Sequence, residues 1–313
     1  MLRLGLFGLL TGIIFSAFPA LADMDAAMTA LAEGRYEDAK VALASLAEGG
    51  DLDARLMLGQ MSEYGLGEEA DLARTAAIYR DVAEAGNPTA QVLLAQLYLD
   101  GQGVPRDAVE GAAWLERAAS AGETTAQLLL ADLYVTGTGV SADPALAARW
   151  YLAAAEAGHP DAQYRIGYFN ETGFGVPQNE AVAVVWYEQA AREDHPEAQA
   201  RLGVMLFEGV GMVTPDQAKA VEWFHLAATS GQIDAQTNLG LAYLHGLGVA
   251  PERATAVRWL SRAANRDDER ATAALLDALE AHLSEGGTLE SLLDQAPELR
   301  DYLERRNPAA LAE

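Results

Sequence analysis

Cysteine is absent from this chain of 313 residues. That absence excludes disulfides, thiolate zinc sites, iron–sulfur clusters, cysteine nucleophiles and lipoprotein anchoring. Lysine occurs only at Lys40 and Lys219, so lysine-based covalent chemistry and Walker-type phosphate loops have few places to sit. Positive charge is scarce altogether: 21 Lys and Arg face 46 Asp and Glu, for a net charge of −25. Such a surface repels phosphates, which argues against nucleic acid and anionic membranes and favours encounters with basic partners. The hydrophobic fraction of 50% is far too high for a disordered acidic chain.

Long apolar runs are missing too, except at the start. Met1-Leu2-Arg3 precedes an apolar run from Leu4 to Phe18, followed by Ala20-Leu21-Ala22. A charged n-region, an apolar h-region and an A-x-A site describe a secretory signal. The run is shorter than the roughly 20 residues of a membrane span. Cleavage after Ala22 and export to a bacterial periplasm are expected, with secretion as the alternative and no stable membrane insertion afterwards. Losing Arg3 makes the mature chain one unit more acidic.

What is present is a period. An alanine anchor recurs at Ala54, Ala90, Ala126, Ala162, Ala198, Ala235 and Ala271, in steps of 36 with a single 37. The extra residue falls in Gly211-Met212-Val213-Thr214-Pro215. A Gly-x-Gly pair follows each of the first six anchors by eleven residues, from Gly65/Gly67 to Gly246/Gly248. All 5 tryptophans share one place in the period: Trp114, Trp150, Trp186, Trp223 and Trp259. A period of this length marks a stacked-repeat architecture.

Each unit reads as two helices. The first carries apolar residues at the anchor and four, seven and often eight positions later, as in Ala90, Leu94, Leu97 and Tyr98. The residue five after the anchor is always small (Gly59, Ala95, Ala131, Gly167, Gly203, Gly240), which admits close approach of the second helix. Gly-x-Gly ends the first helix, since glycine adopts the left-handed cap conformation cheaply. Asp107 is a plausible N-cap for a second helix holding Ala112, Trp114, Leu115, Ala118 and Ala119. Gly86, Gly122, Gly158 and Gly231 end second helices, and Pro88, Pro160 and Pro196 open the next repeats. Each tryptophan can bury roughly 150–250 Å², so a stacked aromatic row is expected to supply much of the cohesion.

The pattern resembles the Sel-1-like repeat, a relative of the tetratricopeptide repeat. Ala126 to Val140 tracks the family's A-x-x-x-L-G-x-x-Y-x-x-G-x-G-V, with Ala131 at the small position and Tyr134 at the tyrosine. Trp150 to Gly158 tracks its W-Y-x-x-A-A-x-x-G. Ser62, Asn170 and Leu206 depart from it at the tyrosine. The resemblance implies an all-α, right-handed α/α superhelical solenoid of stacked helix-turn-helix repeats. The expected organisation is a signal peptide over 1–22, a capping helical hairpin over 23–50, six repeats over 51–270 and capping helices over 271–313. Terminal caps are needed because an array otherwise leaves its core open at both ends.

Chemistry is sparse. The glycine loops lack both the third glycine of a dinucleotide fingerprint and the Lys-Ser/Thr of a phosphate loop, so no cofactor is expected. His159, His195, His225, His245 and His282 form no His-x-x-x-His pair, and no metal site is expected. They read as solvent-facing turn and helix residues. A cysteine-rich branch of Sel-1-like proteins has been labelled β-lactamase. The S-x-x-K motif is absent here, since Glu37 and Asp216 stand three residues before the two lysines.

By the resemblance, the first helices line the concave face. Positions two, six and nine after the anchor then supply a candidate groove: Val92, Leu99, Leu128, Val135, Tyr164, Tyr168, Val204, Phe207, Leu241 and Leu244. Asp53, Asp161, Glu197 and Asp234 precede their anchors and would rim it. An apolar floor with an acidic rim suits a basic or amphipathic peptide or partner protein. The expected function is a non-catalytic interaction scaffold or adaptor, with envelope signalling or regulation as the expected setting. A hydrolase of the labelled branch and a structural envelope spacer are the alternatives.

Overall fold

Helix-capping chemistry dictates most of the architecture. The computed structural model describes residues 20–211 and 214–306. The expected leader lies outside the described residues, save for 20–22, which open the first helix. Among the described residues there are seventeen helices and no strand. They fall into two compact units, one ending at Ala142 and one beginning at Asp143.

The first unit holds α1 (Ala20–Ala32), α2 (Tyr36–Glu48), α3 (Leu52–Tyr64), α4 (Leu72–Glu84), α5 (Pro88–Asp100), α6 (Ala108–Ser120) and α7 (Thr124–Thr136). The second holds α8 (Pro144–Glu156), α9 (Pro160–Thr172), α10 (Glu180–Arg192), α11 (Pro196–Glu208), α12 (Gln217–Thr229), α13 (Ile233–His245), α14 (Arg253–Ala264), α15 (Glu269–Ser284), α16 (Leu289–Gln295) and α17 (Glu298–Arg306). Within each unit, consecutive helices up to α15 pack on one another.

Most helices have chemically specified ends, although α2, α9, α13 and α14 start without a side-chain cap. Asp107 Oδ1 accepts from the Val109 and Glu110 amides at 3.1 Å and so caps α6. Asp51, Asp71, Asn87, Asp143, Asn179, Asp216 and Asp268 cap their helices in the same way. The first glycine of each Gly-x-Gly takes the left-handed cap conformation, as at Gly101 with φ 71°. The second glycine has another role, contact with the first turn of the preceding repeat's second helix. A Cβ on Gly103 would sit 2.0 Å from the Leu72 carbonyl oxygen, and one on Gly139 1.9 Å from that of Ala108.

Second helices end on a left-handed residue. It is glycine in four repeats, but Asp194 (φ 59°) and Asp267 (φ 65°) hold the same place. Aspartate pays a steric cost there that glycine avoids. Asp194→Gly is therefore expected to raise stability by up to about 1 kcal/mol, after allowing for the larger unfolded-state entropy of glycine. Thermal denataturation of the two proteins side by side checks this, and an unchanged or lower Tm counts against it.

The aromatic row differs from expectation. Only Trp114 and Trp259 are buried; Trp150, Trp186 and Trp223 are half-exposed, and no two tryptophan rings pair among the described residues. Trp223 packs back on the α10–α11 core and Trp259 on the α12–α13 core, so these two lie at repeat seams. Arginine guanidiniums cover two of the rings, Arg117 at 4.3 Å from Trp114 and Arg262 at 4.7 Å from Trp259. The true spine is the next residue: Tyr79, Leu115, Tyr151, Tyr187, Phe224 and Leu260, all essentially sealed. The small residue five after the anchor makes room for that side chain. A Cβ on Gly203 would meet the Phe224 ring at 2.6 Å.

At the C-terminal end, Leu292, Leu299, Tyr302 and Leu303 close over the α14–α15 core. Arginines of α14 hold them there. Arg262 pairs with Glu298 at 2.5 Å, and Arg258 donates to the Gln295 carbonyl at 2.6 Å.

Candidate functional site

The first helices of the repeats are α3, α5, α7, α9, α11 and α13, and one side of each is consumed by packing. Every anchor and every position seven is buried, and so is position four except at Leu58, which is half-buried. The position after the anchor is polar but equally enclosed. Gln91 Nε2 donates to the Ala83 carbonyl at 3.1 Å, and Gln127, Gln163, Gln199 and Gln236 repeat this bond on Ala119, Ala155, Ala191 and Ala228. Arg55 substitutes on Ala47 in the first repeat. The bond ties each first helix to the end of the preceding second helix. The sequence carried its signature, a glutamine five times at one register.

The candidate groove residues are only partly where the spacing put them. Val92 is sealed at 6% exposure and lines no surface. Leu99, Leu128 and Val135 of the first unit are half-buried. Tyr164 is half-buried too, its ring stacked 4.8 Å from His195 and tilted 5.7 Å from Tyr187. Val204 and Phe207 lean on the α12–α13 core, and Leu241 and Leu244 on the C-terminal core. Tyr168 is exposed, at 41%. The expected stripe is thus mostly half-buried rather than open. The more open row runs through the residue before the anchor and positions three, six and ten after it. In α5 it is Thr89, Leu93, Gln96 and Asp100; in α9 it is Asp161, Arg165, Tyr168 and Thr172. The two rows share position six; positions two and nine give way to three and ten, each about 100° further round the helix.

The acidic rim has internal duties as well. Asp53 accepts from Asn87 Nδ2 at 3.4 Å, Asp161 lies 3.1 Å from His195 Nε2, and Glu197 accepts from Gln232 Nε2 at 2.6 Å. Each partner is the N-cap residue of the next first helix. His195 Nδ1 accepts the Ala198 amide at 3.2 Å, which leaves Nε2 to carry the proton toward Asp161. With a side chain only 9% exposed, His195 is a capping residue rather than the solvent-facing turn residue expected.

Two acids in the last turns of first helices behave differently. Glu63, nine after its anchor, accepts from the Tyr79 hydroxyl at 2.5 Å; Glu171, at the same register, accepts from Tyr187 at 2.6 Å. Burial, then the carboxylate partner, pushes both phenols far above their usual range, so both remain donors. In the second unit Arg201 completes the set by pairing with Glu171. Burial alone would lower that guanidinium, but the Glu171 carboxylate raises it. In the first unit Leu93 stands at the arginine's register, and no basic side chain pairs with Glu63 among the described residues. A cleft of about 450 Å³ opens there, lined by Glu63, Tyr79, Leu93, Gln96, Leu99 and Asp100 among others.

The lysines are engaged by carboxylates. Lys40 meets Glu68 at 2.5 Å and Lys219 meets Asp216 at 3.5 Å. Among the described residues no group of three His, Asp or Glu is placed to hold a metal, and no helix is long and apolar enough to cross a membrane.

The Sel1 repeat model matches residues 52–87, 88–123, 124–159, 160–195, 196–232 and 233–268. The chain belongs to the Sel1 repeat family. A Sel1 repeat protein from Oxalobacter formigenes is 32% identical, with a TM-score of 0.68, over 82% of this chain and 75% of that one. A protective antigen present in uropathogenic Escherichia coli strains, displaying an SLR fold, is 29% identical over 93% of this chain, with a TM-score of 0.76. The chain spans 62% of that antigen's length. No curated protein sequence matches it. Sel1 repeat proteins are in general scaffolds that bind other proteins, and their fold is typically non-catalytic.

Proposed function

We propose that this Sel1 repeat protein is a non-catalytic scaffold that engages a partner protein or peptide through the open row of its first helices. The observation that carries this reading is the composition of that row. In α9 it sets exposed Tyr168 beside Arg165 and Asp161, and in α5 it sets Leu93 beside Gln96 and Asp100. Aromatic and aliphatic side chains ringed by charge are the usual make-up of binding hot spots. The net charge of −25 favours a partner of basic or amphipathic character. The N-terminal sequence supports export to the periplasm, where the partner would belong to envelope signalling or regulation.

The test is capture of a partner from envelope extracts by the mature chain and by a variant carrying Arg165→Glu and Tyr168→Glu. Both positions are exposed, so the variant should melt with the parent. Loss of the partner from the folded variant is the expected result. Retention by both proteins would place the binding surface elsewhere and overturn the reading.

A further inference from the structure

We propose that the cleft beneath Glu63 is a receptor for an arginine side chain of the partner. This rests on the scaffold reading and names the chemistry that one part of the surface selects.

The argument begins with the chain's own second unit. There a tyrosine hydroxyl from the second helix and a glutamate from the first form a pair, and a guanidinium closes on the pair from the next repeat: Tyr187, Glu171 and Arg201. The first unit repeats the tyrosine and the glutamate at the same registers, as Tyr79 and Glu63. It leaves out the arginine, because position 93 is leucine. Arg80, a cation on the same helix as Tyr79, is turned to Tyr98: its Nη2 donates to that hydroxyl at 2.9 Å and its guanidinium lies over that ring. Glu63 therefore keeps one carboxylate oxygen for an external donor, since Tyr79 occupies the other.

The walls fit the rest of an arginine. Leu93, Leu97, Leu99 and Leu129 line the cleft beside Glu63. An aliphatic stem covers apolar surface while its charged head reaches a carboxylate. A planar fork suits a carboxylate better than the point charge of an ammonium, and it is shed from water at lower cost. Asp100 at the edge adds a second negative charge. The second unit shows that this tyrosine–glutamate platform accepts a guanidinium when one is supplied.

The experiment uses the full chain, isotopically labelled, titrated with N-acetyl-arginine methylamide at low salt and followed by backbone amide shifts. Saturable shifts at Leu93, Gln96, Leu99 and Asp100 are expected, with the neutral citrulline analogue binding at least tenfold more weakly. Glu63→Gln, which keeps an acceptor for Tyr79, should weaken arginine binding tenfold or more, while Glu171→Gln leaves it unchanged. Leu93→Arg places the missing guanidinium in the chain itself; it should abolish binding without lowering Tm. Equal affinity for arginine and citrulline, or full binding by the Glu63→Gln protein, would overturn the inference. If that happens while the Arg165→Glu, Tyr168→Glu protein still loses its partner, the scaffold reading stands and the cleft alone is refuted.

Discussion

Tyr187→Ala is expected to lower folding stability by about 3–5 kcal/mol, and Trp186→Ala, one residue earlier, by only about 2. The sequence draws the eye to the tryptophan, which marks the period. The structure seals the tyrosine completely and leaves the tryptophan half-exposed. Tyr187 packs under Gly167, whose Cβ position lies 2.9 Å from the ring, so the cavity left by truncation sits between two helices that cannot easily collapse. Its hydroxyl also holds Glu171, which in turn holds Arg201. Removing the ring leaves a half-buried ion pair without its third member. Because repeat contacts are local, hydrogen exchange should show lost protection in α9, α10 and α11 and little change in α14 and α15. Urea unfolding of both variants at equal m-value checks the ranking. Equal costs would restore the tryptophans as the principal spine.

The same contrast separates what the sequence made legible from what it did not. Helix ends were readable because their chemistry is local: an aspartate caps, a proline opens, a glycine closes, each within a few residues of its effect. The period and the buried anchors followed from counting. The orientation of the open face did not. Position two and position three after the anchor differ by about 100° around the helix, and which of them meets solvent depends on how successive first helices lean on one another. Val92 is consequently sealed and Tyr164 clamped against His195, while Arg165 and Tyr168 stay open. The acids before the anchors were legible as a charged rim, but their bonds to the next N-cap residue are 34 and 35 residues away in sequence. The platform of the arginine cleft left a fainter trace. Glutamate stands nine after the anchor in two repeats, and in both the residue after the tryptophan register is tyrosine; Tyr151, which accompanies Val135, shows that the converse does not hold.

The second large effect is expected at Gly103. Gly86 and Gly103 both have positive φ, 94° and 69°. Alanine at either must accept a left-handed backbone, at a cost of about 1–2 kcal/mol. For Gly86 that is the whole cost, because nothing lies within 4 Å of the added Cβ. For Gly103 the added Cβ would lie 2.0 Å from the Leu72 carbonyl oxygen and 2.3 Å from its carbon. A contact that short cannot be relieved by a rotamer change, since both groups are main chain; the loop must lift away from α4. Lifting it opens the seam between two repeats, so Gly103→Ala should cost at least about 3 kcal/mol, beyond the usual penalty for overpacking. The pair is measured by urea unfolding, with Gly86→Ala as the control for backbone conformation alone. A Gly103→Ala protein no weaker than Gly86→Ala would mean that the second glycine of each Gly-x-Gly serves only as a turn. A large difference would show that it is the point where one repeat docks on the one before, and that the motif specifies stacking as well as helix termination.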